Sequence, residues 1–479
     1  MFWNAWRRID PANHQYIDFP NPAALERMLN DVLRVGIDPP QMALVEDAQF
    51  VPPDLGFPDI WSSGGIMNRR GELIPLIREK SETRETLLGL REAVPFDPVA
   101  TVEEDVVYLG WLFDSFGHLM IESLARVWAL KHLPASTKVV FHLWPGMEPS
   151  TSQLRILALF GIGQERIITP AEPTVFRRLI YPDPQMALFT MVHERANEPF
   201  AAVRDRIAGD APMVDQPVYL SRRRLAANQR PVIGEAQFED LLRDNGFLIV
   251  YPETLPIEEQ IRIMATHREI VTCTGSASQL IAFARPESRF HLLCYNNYLG
   301  LHTIGSEATG TPTTYLHVLR GAMHPVSALA LDIHATAHHL AAAGLLHDLH
   351  RLPSLPADLE HSPEFEEAWL FGYLHNFFTL DSPPHPTADE FIDRIRPTAW
   401  PVLAGLAARM PPDRLTDAQA DVLMQSFALA LGEEQNAEKL RNHAKLVPGL
   451  AALALPRCSP DTQALVASAL RTAFPEHAP

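Results

Sequence analysis

The sequence predicts an α/β protein that carries an all-helical C-terminal region. From residue 105 to 294, short apolar runs of strand length alternate with amphipathic segments of helix length, which is typical of a sheet with βα connections. Past residue 325 the β-branched runs disappear, and alanine and leucine recur at helical spacing. At 479 residues the chain is too long for one ordinary core. We therefore expect an N-terminal α/β domain over residues 1–200, a second over 201–325, and a helical extension over 326–479.

The composition is that of a soluble globular protein, with 47% hydrophobic and 20% charged residues. The net charge of −18 argues against broad nucleic-acid binding, which needs a basic surface. The cysteines number three and form no disulfide framework, so we expect a cytoplasmic location. No apolar run is long enough to span a membrane, and the N-terminus lacks the apolar segment of a signal peptide. Peripheral attachment to a membrane stays open.

The first domain begins with an irregular stretch over residues 1–100, in which only 21–36 has a helical pattern. An alternating pattern follows. The predicted strands are 106–109, 138–143, 165–169 and 175–181, and the predicted helices are 114–130 and 152–160.

The predicted helix at 114–130 is apolar on most sides and polar along one narrow stripe. His118 and Glu122 are one helical turn apart on that stripe, and Arg126 follows one turn later. A solvent-facing helix has a broad polar face, so this one is expected to line a cleft. The alternative is that His118 and Glu122 pair only to stabilise a buried helix.

The second domain has the clearest pattern of the chain. Strands are predicted at 218–221, 247–251, 269–273 and 290–295, with helices at 235–244, 256–266 and 277–284. Strands that alternate with helices at this short spacing predict a parallel sheet. The carboxyl ends of such strands share one edge, where open α/β sheets bind ligands.

Three groups of polar residues fall at that edge. Small residues after the third strand leave backbone N–H groups open to a phosphate, although an ordinary helix cap has the same pattern. Arginines after the first strand suit a diphosphate, although a solvated basic turn would look alike. A glutamate after the second strand suits a sugar hydroxyl, or caps the next helix. The residues are Thr274, Gly275, Ser276, Ala277 and Ser278; Arg222, Arg223 and Arg230; and Glu253.

Histidines are frequent at the start of the helical region. His334 and His338 stand one helical turn apart, as a metal-binding pair does. No carboxylate or cysteine completes a ligand set at convincing spacing, so a histidine-rich helix surface is the favoured interpretation. We expect no metal site and no cofactor.

Three motifs in order resemble glycosyltransferase family 61, a group associated with capsular polysaccharide biosynthesis. The first motif leads through Asp114 into Phe116, Gly117, His118, Glu122, Leu124, Arg126 and Trp128. The second motif consists of Ser221, Arg222 and Arg223, followed by Arg230, Gly246 and Phe247. After it, the acidic residue and the helical glutamine of the family pattern match Glu253 and Gln260. The third motif departs from the family. Thr274, Gly275 and Ser276 replace His-Gly-Ala, and Leu280 stands where asparagine is usual. The resemblance covers roughly residues 100–295.

The resemblance implies a GT-B fold, in which two Rossmann-like domains face each other across a cleft. It also implies an inverting, metal-independent transfer from a nucleotide sugar, expected to be UDP-linked, to a glycan or glycolipid. Glu122, with His118, is then the candidate base, and Asp114 and Arg126 lie on the acceptor side. The residues at the edge of the second sheet would bind the donor. The helical extension is a candidate surface for homo-oligomerisation.

Two other functions stay open from the sequence. The departure at Thr274 fits a non-catalytic scaffold that binds sugar nucleotides or glycans in an assembly complex. A nicotinamide-dependent oxidoreductase is weaker, because the dinucleotide glycine fingerprint is absent from the sequence.

Overall fold

The computed structural model describes residues 5–19, 21–53, 64–74, 93–188, 190–225, 232–294, 299–320, 329–349, 352 and 458–473. The strands are β1 (Trp6–Arg7), β2 (His14–Ile17), β3 (Arg34–Gly36), β4 (Met42–Val51), β5 (Gly65–Met67), β6 (Ala100–Trp111), β7 (Lys138–His142), β8 (Ile167–Ile168), β9 (Thr174–Pro182), β10 (Met186–Ala187), β11 (Met191–His193), β12 (Val218–Leu220), β13 (Val232–Ile233), β14 (Leu248–Val250), β15 (Glu269–Cys273), β16 (Arg289–Cys294), β17 (Thr313–His317), β18 (Leu319–Arg320) and β19 (Leu329–Leu331). The α-helices are α1 (Pro22–Val32), α2 (Phe116–His118), α3 (Thr151–Leu159), α4 (Glu198–Ala208), α5 (Glu235–Asp244), α6 (Ile257–Thr266), α7 (Gly300–Thr309), α8 (Ile333–Ala342) and α9 (Pro460–Ala473). A π-helical turn covers Leu119–Ser123, and 3-10 helices cover Pro11–Asn13, Val127–His132, Gln164–Arg166, Pro252–Thr254 and Ser276–Phe283.

The chain divides into two compact units. The first contains Met1–Arg222, Phe238–Val318 and His334–Arg351, and the second contains Arg223–Gln237, Leu319–Ile333 and Leu352–Pro479. The described part of the second unit includes a small sheet with the strand order β13-β19-β18 and helix α9. The three-domain boundaries predicted from the sequence stay a prediction.

The larger parallel sheet of the first unit has the strand order β14-β12-β15-β16-β17-β2. All five of its pairings are parallel, which confirms the parallel pairing predicted for β12, β14, β15 and β16, whereas β17 and β2 were not predicted. Its central strands are buried along nearly their whole length, which explains why they appear in the sequence as continuous apolar runs. Gly246, at φ 83°, ends α5 where the sequence predicts a helix stop.

The second large sheet of this unit has the order β5-β4-β9-β6-β7-β8. The pairings β9-β6, β6-β7 and β7-β8 are parallel, and β4 pairs antiparallel with both β9 and β5. The α/β prediction for this region is confirmed, although strand β4 was not predicted and lies in the stretch 1–100, where the sequence pattern is irregular. Strand β5 ends at the turn Asn68–Gly71, which the sequence predicts to join two short strands.

Strand β2, near the N-terminus, belongs to the larger parallel sheet, which the sequence did not predict. Strand β2 pairs in parallel with β17. The buried carboxylate of Glu307 in α7 accepts hydrogen bonds from the backbone N–H of Asp10 at 2.6 Å and from the His14 side chain, Nε2 to Oε1, at 2.9 Å. This buried contact holds the first residues of the chain against α7.

The prediction that the chain is purely helical beyond residue 326 is wrong at its start. Leu329–Leu331 is strand β19, and the first described helix of this region is Ile333–Ala342, where the sequence pattern predicts a helix over 326–349. The sequence Leu-Ala-Leu fits a strand as well as a helix, and pairing with β13 and β18 decides between the two. Helix α9 agrees with the helix predicted at 459–473. The helices predicted between 362 and 445 lie outside the described residues. No described helix is both long and apolar enough to cross a membrane.

Candidate active site

The segment after β6 bends sharply, whereas the sequence predicts one straight helix. Helix α2 is a single turn, a π-helical turn follows at Leu119–Ser123, and the chain then turns into the 3-10 helix Val127–His132. The backbone N–H of Leu124 donates to the carbonyl of Leu119 at 3.1 Å, the wider spacing of a π turn. Such turns occur frequently at functional sites.

His118 and Glu122 form a hydrogen-bonded pair within this bend, through Nδ1 and Oε2. The side chain of His118 is 44% exposed, whereas that of Glu122 is 15% exposed. Burial lowers the pKa of His118, but the hydrogen bond that Nδ1–H donates to Glu122, together with the negative charge of Glu122, outweighs burial and leaves the pKa above the ordinary value. The imidazole is therefore the accessible member of the pair, and the carboxylate supports it from behind.

Arg126 does not share the face of His118 and Glu122, which corrects the sequence interpretation. The bend turns it into the interior, where its guanidinium lies over the rings of Tyr108 and Tyr181 at 5.7 and 5.4 Å. Its Nε donates to the carbonyl of Pro182 at 3.0 Å. Arg126 is a buried structural cation, and the structure gives it no place on an acceptor surface.

The predicted phosphate loop leaves strand β15 and enters a 3-10 helix, Ser276–Phe283, where an α-helix was expected. Arg222 reaches this loop from the end of β12. A Cβ atom built on Gly275 would lie 2.0 Å from Nη1 of Arg222, so the guanidinium occupies the space that any side chain at 275 would need. The parallel pairing of β12 with β15 brings the two strand ends to one edge, as the sequence predicts.

The loop and the His-Glu pair are neighbours. A Cβ atom on Gly117, next to His118, would lie 3.5 Å from Oγ of Ser276, which is ordinary van der Waals contact. The structure therefore places the accessible imidazole, the loop and the Arg222 guanidinium in one region of the first unit.

The other predicted residues have less to do with this region. Glu253 is exposed in a 3-10 turn, and Asp114 is exposed before α2. Gln260 is not a plain surface residue, because its Nε2 donates to the carbonyls of Pro252 and Leu255. Arg223 is exposed and belongs to the second unit. Arg230 lies outside the described residues.

Thr274 and Ala277 complete the predicted loop. Thr274 is buried, its backbone N–H donates to Leu293 at 2.8 Å, and its hydroxyl has no hydrogen-bond partner among the described residues. Ala277 is half-buried within the 3-10 helix.

His302 is a residue of this region that the sequence interpretation missed. It stands in the first turn of α7, and its Nδ1 lies 2.8 Å from Oγ of Ser278. A sequence signal existed. Helix α7 follows the parallel strand β16, so its first turn is expected at the same ligand-binding edge.

The family comparison covers this region. Residues 116–291 match the family model described as Glycosyltransferase 61. The chain carries a glycosyltransferase family 61 domain. It is therefore a glycosyltransferase, an enzyme that uses a sugar donor and an acceptor. The match begins at the His-Glu segment, includes Arg222 and the loop, and ends before His302. No curated protein matches the chain in sequence.

No group of three or more histidine, cysteine, aspartate or glutamate side chains among the described residues is placed to hold a metal ion. His334 and His338 both stand on α8 and are exposed, whereas His350 lies outside the described residues.

Proposed function

We propose that this glycosyltransferase is inverting and metal-independent, and that it moves a sugar from a nucleotide sugar, expected to be UDP-linked, to a hydroxyl of a glycan or glycolipid in polysaccharide biosynthesis. The observation that carries the proposal is the proximity of Gly117 to Ser276, since a Cβ atom on Gly117 would lie 3.5 Å from Oγ of Ser276. In this proposal it brings the proton acceptor and the diphosphate site together. Both are needed for direct displacement at a sugar carbon.

On the donor side, the leaving diphosphate needs positive charge and hydrogen-bond donors. Arg222 supplies a planar guanidinium that donates to phosphate oxygens in pairs. The loop supplies backbone N–H groups at Ser276 and Ala277 and the exposed hydroxyl of Ser276 beside it. Fixed groups of this kind stabilise charge that develops as the bond breaks, and in this proposal they do so without a metal ion.

On the acceptor side, we assign the base to His118 rather than to Glu122, which the sequence interpretation favoured. The acceptor oxygen attacks the anomeric carbon, the bond from that carbon to the diphosphate oxygen breaks, and Nε2 of His118 takes the acceptor proton. Glu122 accepts from Nδ1–H, which leaves Nε2 unprotonated, and it stabilises the imidazolium that forms. The exposure of the two side chains, 44% against 15%, supports this order.

The GT-B layout and the cytoplasmic location belong to the same proposal. The sheet of β12 and β14–β17 fits a Rossmann-like donor domain, because its pairings are parallel and Arg222 and the loop share one edge. The three cysteines are all among the described residues, are buried and form no disulfide bonds, which fits a reducing compartment.

The test is turnover with the full chain. A panel of nucleotide sugars is supplied with and without glycan or glycolipid acceptors, in the presence of EDTA, and the released nucleoside diphosphate is measured. We expect release with at least one donor, unchanged by EDTA, and NMR of the product should show inversion at the anomeric carbon.

A variant pair locates the donor site. Arg222→Ala should weaken binding of the nucleoside diphosphate about 10- to 100-fold, as expected for a lost charged hydrogen bond. Arg177→Ala is the control, since Arg177 is exposed on the other sheet and pairs with Asp47 and Glu103. Binding without turnover for every donor and acceptor would contradict the proposal and support a scaffold. Equal binding by both variants would remove Arg222 from the site.

A further inference from the structure

His302 is joined to the donor loop by two short hydrogen bonds that meet at one oxygen. Nδ1 of His302 lies 2.8 Å from Oγ of Ser278, and the same Oγ donates to the carbonyl oxygen of Gly275 at 2.6 Å. Ser278 is buried, so water does not compete freely for this hydroxyl. These two hydrogen bonds connect His302 in α7 to Gly275, the glycine next to the Arg222 guanidinium.

The direction of these bonds follows from counting protons. A serine hydroxyl has one proton, and here it goes to Gly275. The contact with His302 is therefore satisfied only if Nδ1–H donates to the serine oxygen. The Gln279 amide is 3.3 Å from the same ring nitrogen, beyond the usual hydrogen-bond range, so it does not decide the tautomer. The network thus assigns the proton to Nδ1.

The loop needs a support of this kind. Gly275 has no side chain to limit its backbone, and the guanidinium of Arg222 occupies the adjacent space. The hydroxyl of Thr274 makes no hydrogen bond within the described residues, so residue 274 holds the loop only through its backbone. The side-chain hydrogen bonds that fix the Gly275 carbonyl come from Ser278 and, behind it, His302.

We propose that His302 is a positioning residue for donor binding: through Ser278 it fixes the Gly275 carbonyl and so sets the loop and Arg222 in the geometry that receives the diphosphate. This rests on the proposed function, since it assumes that the loop binds the donor. It extends that function to a residue beyond the family-matched segment.

The experiment titrates the full chain and its variants with UDP, GDP, ADP and CDP by calorimetry, and carries forward the nucleotide that the wild type binds. His302→Ala and Ser278→Ala should each weaken its binding about tenfold, the loss of roughly one ordinary hydrogen bond. His302→Asn should bind within about twofold of wild type, because the asparagine amide can donate from near the Nδ1 position. His338→Ala, at an exposed histidine of α8, is the control and should not change binding.

The double variant decides how His302 acts. If it works through Ser278, the double variant His302→Ala and Ser278→Ala loses no more than either single variant. Additive losses, or failure of His302→Asn to restore binding, would overturn the positioning role. Melting temperatures check folding, and Ser278→Ala interrupts the same chain of bonds if His302→Ala is unstable. If Arg222→Ala weakens binding but His302→Ala does not, this inference fails and the proposed function stands. Absence of binding by wild type would overturn both.

Discussion

The His118-Glu122 pair allows the base to be identified by two substitutions. If His118 is the base, His118→Ala removes the proton acceptor and should lower kcat about 10²–10⁴-fold. Glu122→Gln leaves the imidazole and removes only the charge behind it, so the loss should be smaller than for His118→Ala, roughly 10- to 100-fold, at or below the lower end of that range. The exposures of the two side chains set this order, because the buried carboxylate already accepts from the ring.

The pH dependence of the rate tests independently whether His118 is the base. Glu122 keeps the pKa of His118 above its ordinary value of 6.5, and only the neutral imidazole can accept a proton. Activity should therefore rise with pH through that raised pKa. The stability that the ion pair contributes runs the other way: it is present below pH 6.5 and is lost as the pH rises through the raised pKa. Glu122→Gln removes the charge, so the acid limb of its rate profile should move to lower pH.

The assay is nucleoside diphosphate release at saturating donor and acceptor between pH 4.5 and 9, for wild type and both variants, with unfolding monitored at each pH. Lys131→Ala is a suitable control, because Lys131 makes only an exposed ion pair with Glu198. If Glu122→Gln lost more activity than His118→Ala, or if the wild-type acid limb lay in the carboxylate range, Glu122 would be the base. Near-wild-type rates in both variants would remove the pair from catalysis.

Two further predictions concern the donor loop and the acid stability of the fold. Gly275→Ala should displace the Arg222 guanidinium and weaken nucleoside diphosphate binding as much as Arg222→Ala does. Gly117→Ala is the control and should bind normally, because its Cβ would lie 3.5 Å from Ser276, an ordinary contact distance. Calorimetry in which both glycine variants bind alike would refute the steric argument. Burial lowers the pKa of His142 to about 3, although backbone hydrogen bonds oppose this shift. Keeping His142 neutral in the folded protein therefore costs no stability above about pH 6.5, and the cost grows by about 1.4 kcal/mol per pH unit below it. Urea titrations should show a shallower acid loss of stability for His142→Gln than for wild type, and parallel curves would contradict the assignment.

The central strands β12, β15 and β16 of the larger parallel sheet could be predicted because they are buried along most of their length. Glu269–Cys273 has the bounds that the sequence predicts, and the loop after it lies where the strand ends. Parallel strands place their carboxyl ends at one edge, so Arg222 and Gly275 could be predicted as neighbours from strand order and chain direction. Their contact needed no knowledge of side-chain packing.

The bent segment shows where periodicity fails. A π turn keeps residues four apart close together, so the pairing of His118 with Glu122 survives the wrong helix prediction. The error in the predicted direction of the side chains accumulates after the turn, so that Arg126 is directed towards the stacked rings of Tyr108 and Tyr181. Gly110, at φ 105°, leaves the room for this, since a Cβ there would lie 3.0 Å from Nη1 of Arg126. That fit depends on strand β6 and could not be seen within the helix pattern.

Strand β2 was missed for a different reason. Its four residues, His14–Ile17, have no alternation of apolar and polar positions, and its partner β17 is remote in sequence. The position of a short edge strand of this kind is fixed by the residues that it contacts in the folded protein. Here that contact is the hydrogen bond between His14 and the carboxylate of Glu307.

Helix α7 connects these observations. Near its start, His302 bonds to Ser278 of the donor loop, and farther along, the fully buried Glu307 accepts from Asp10 and His14. A buried carboxylate without partners costs several kcal/mol, so docking of the N-terminal segment stabilises the position of this helix. The loop is thus held in place by helix α7, which lies beyond the family-matched segment. Helix α7 is in turn held in place by Asp10 and His14. That explains how residue 274 can differ from the family pattern while the loop keeps its contact with Arg222.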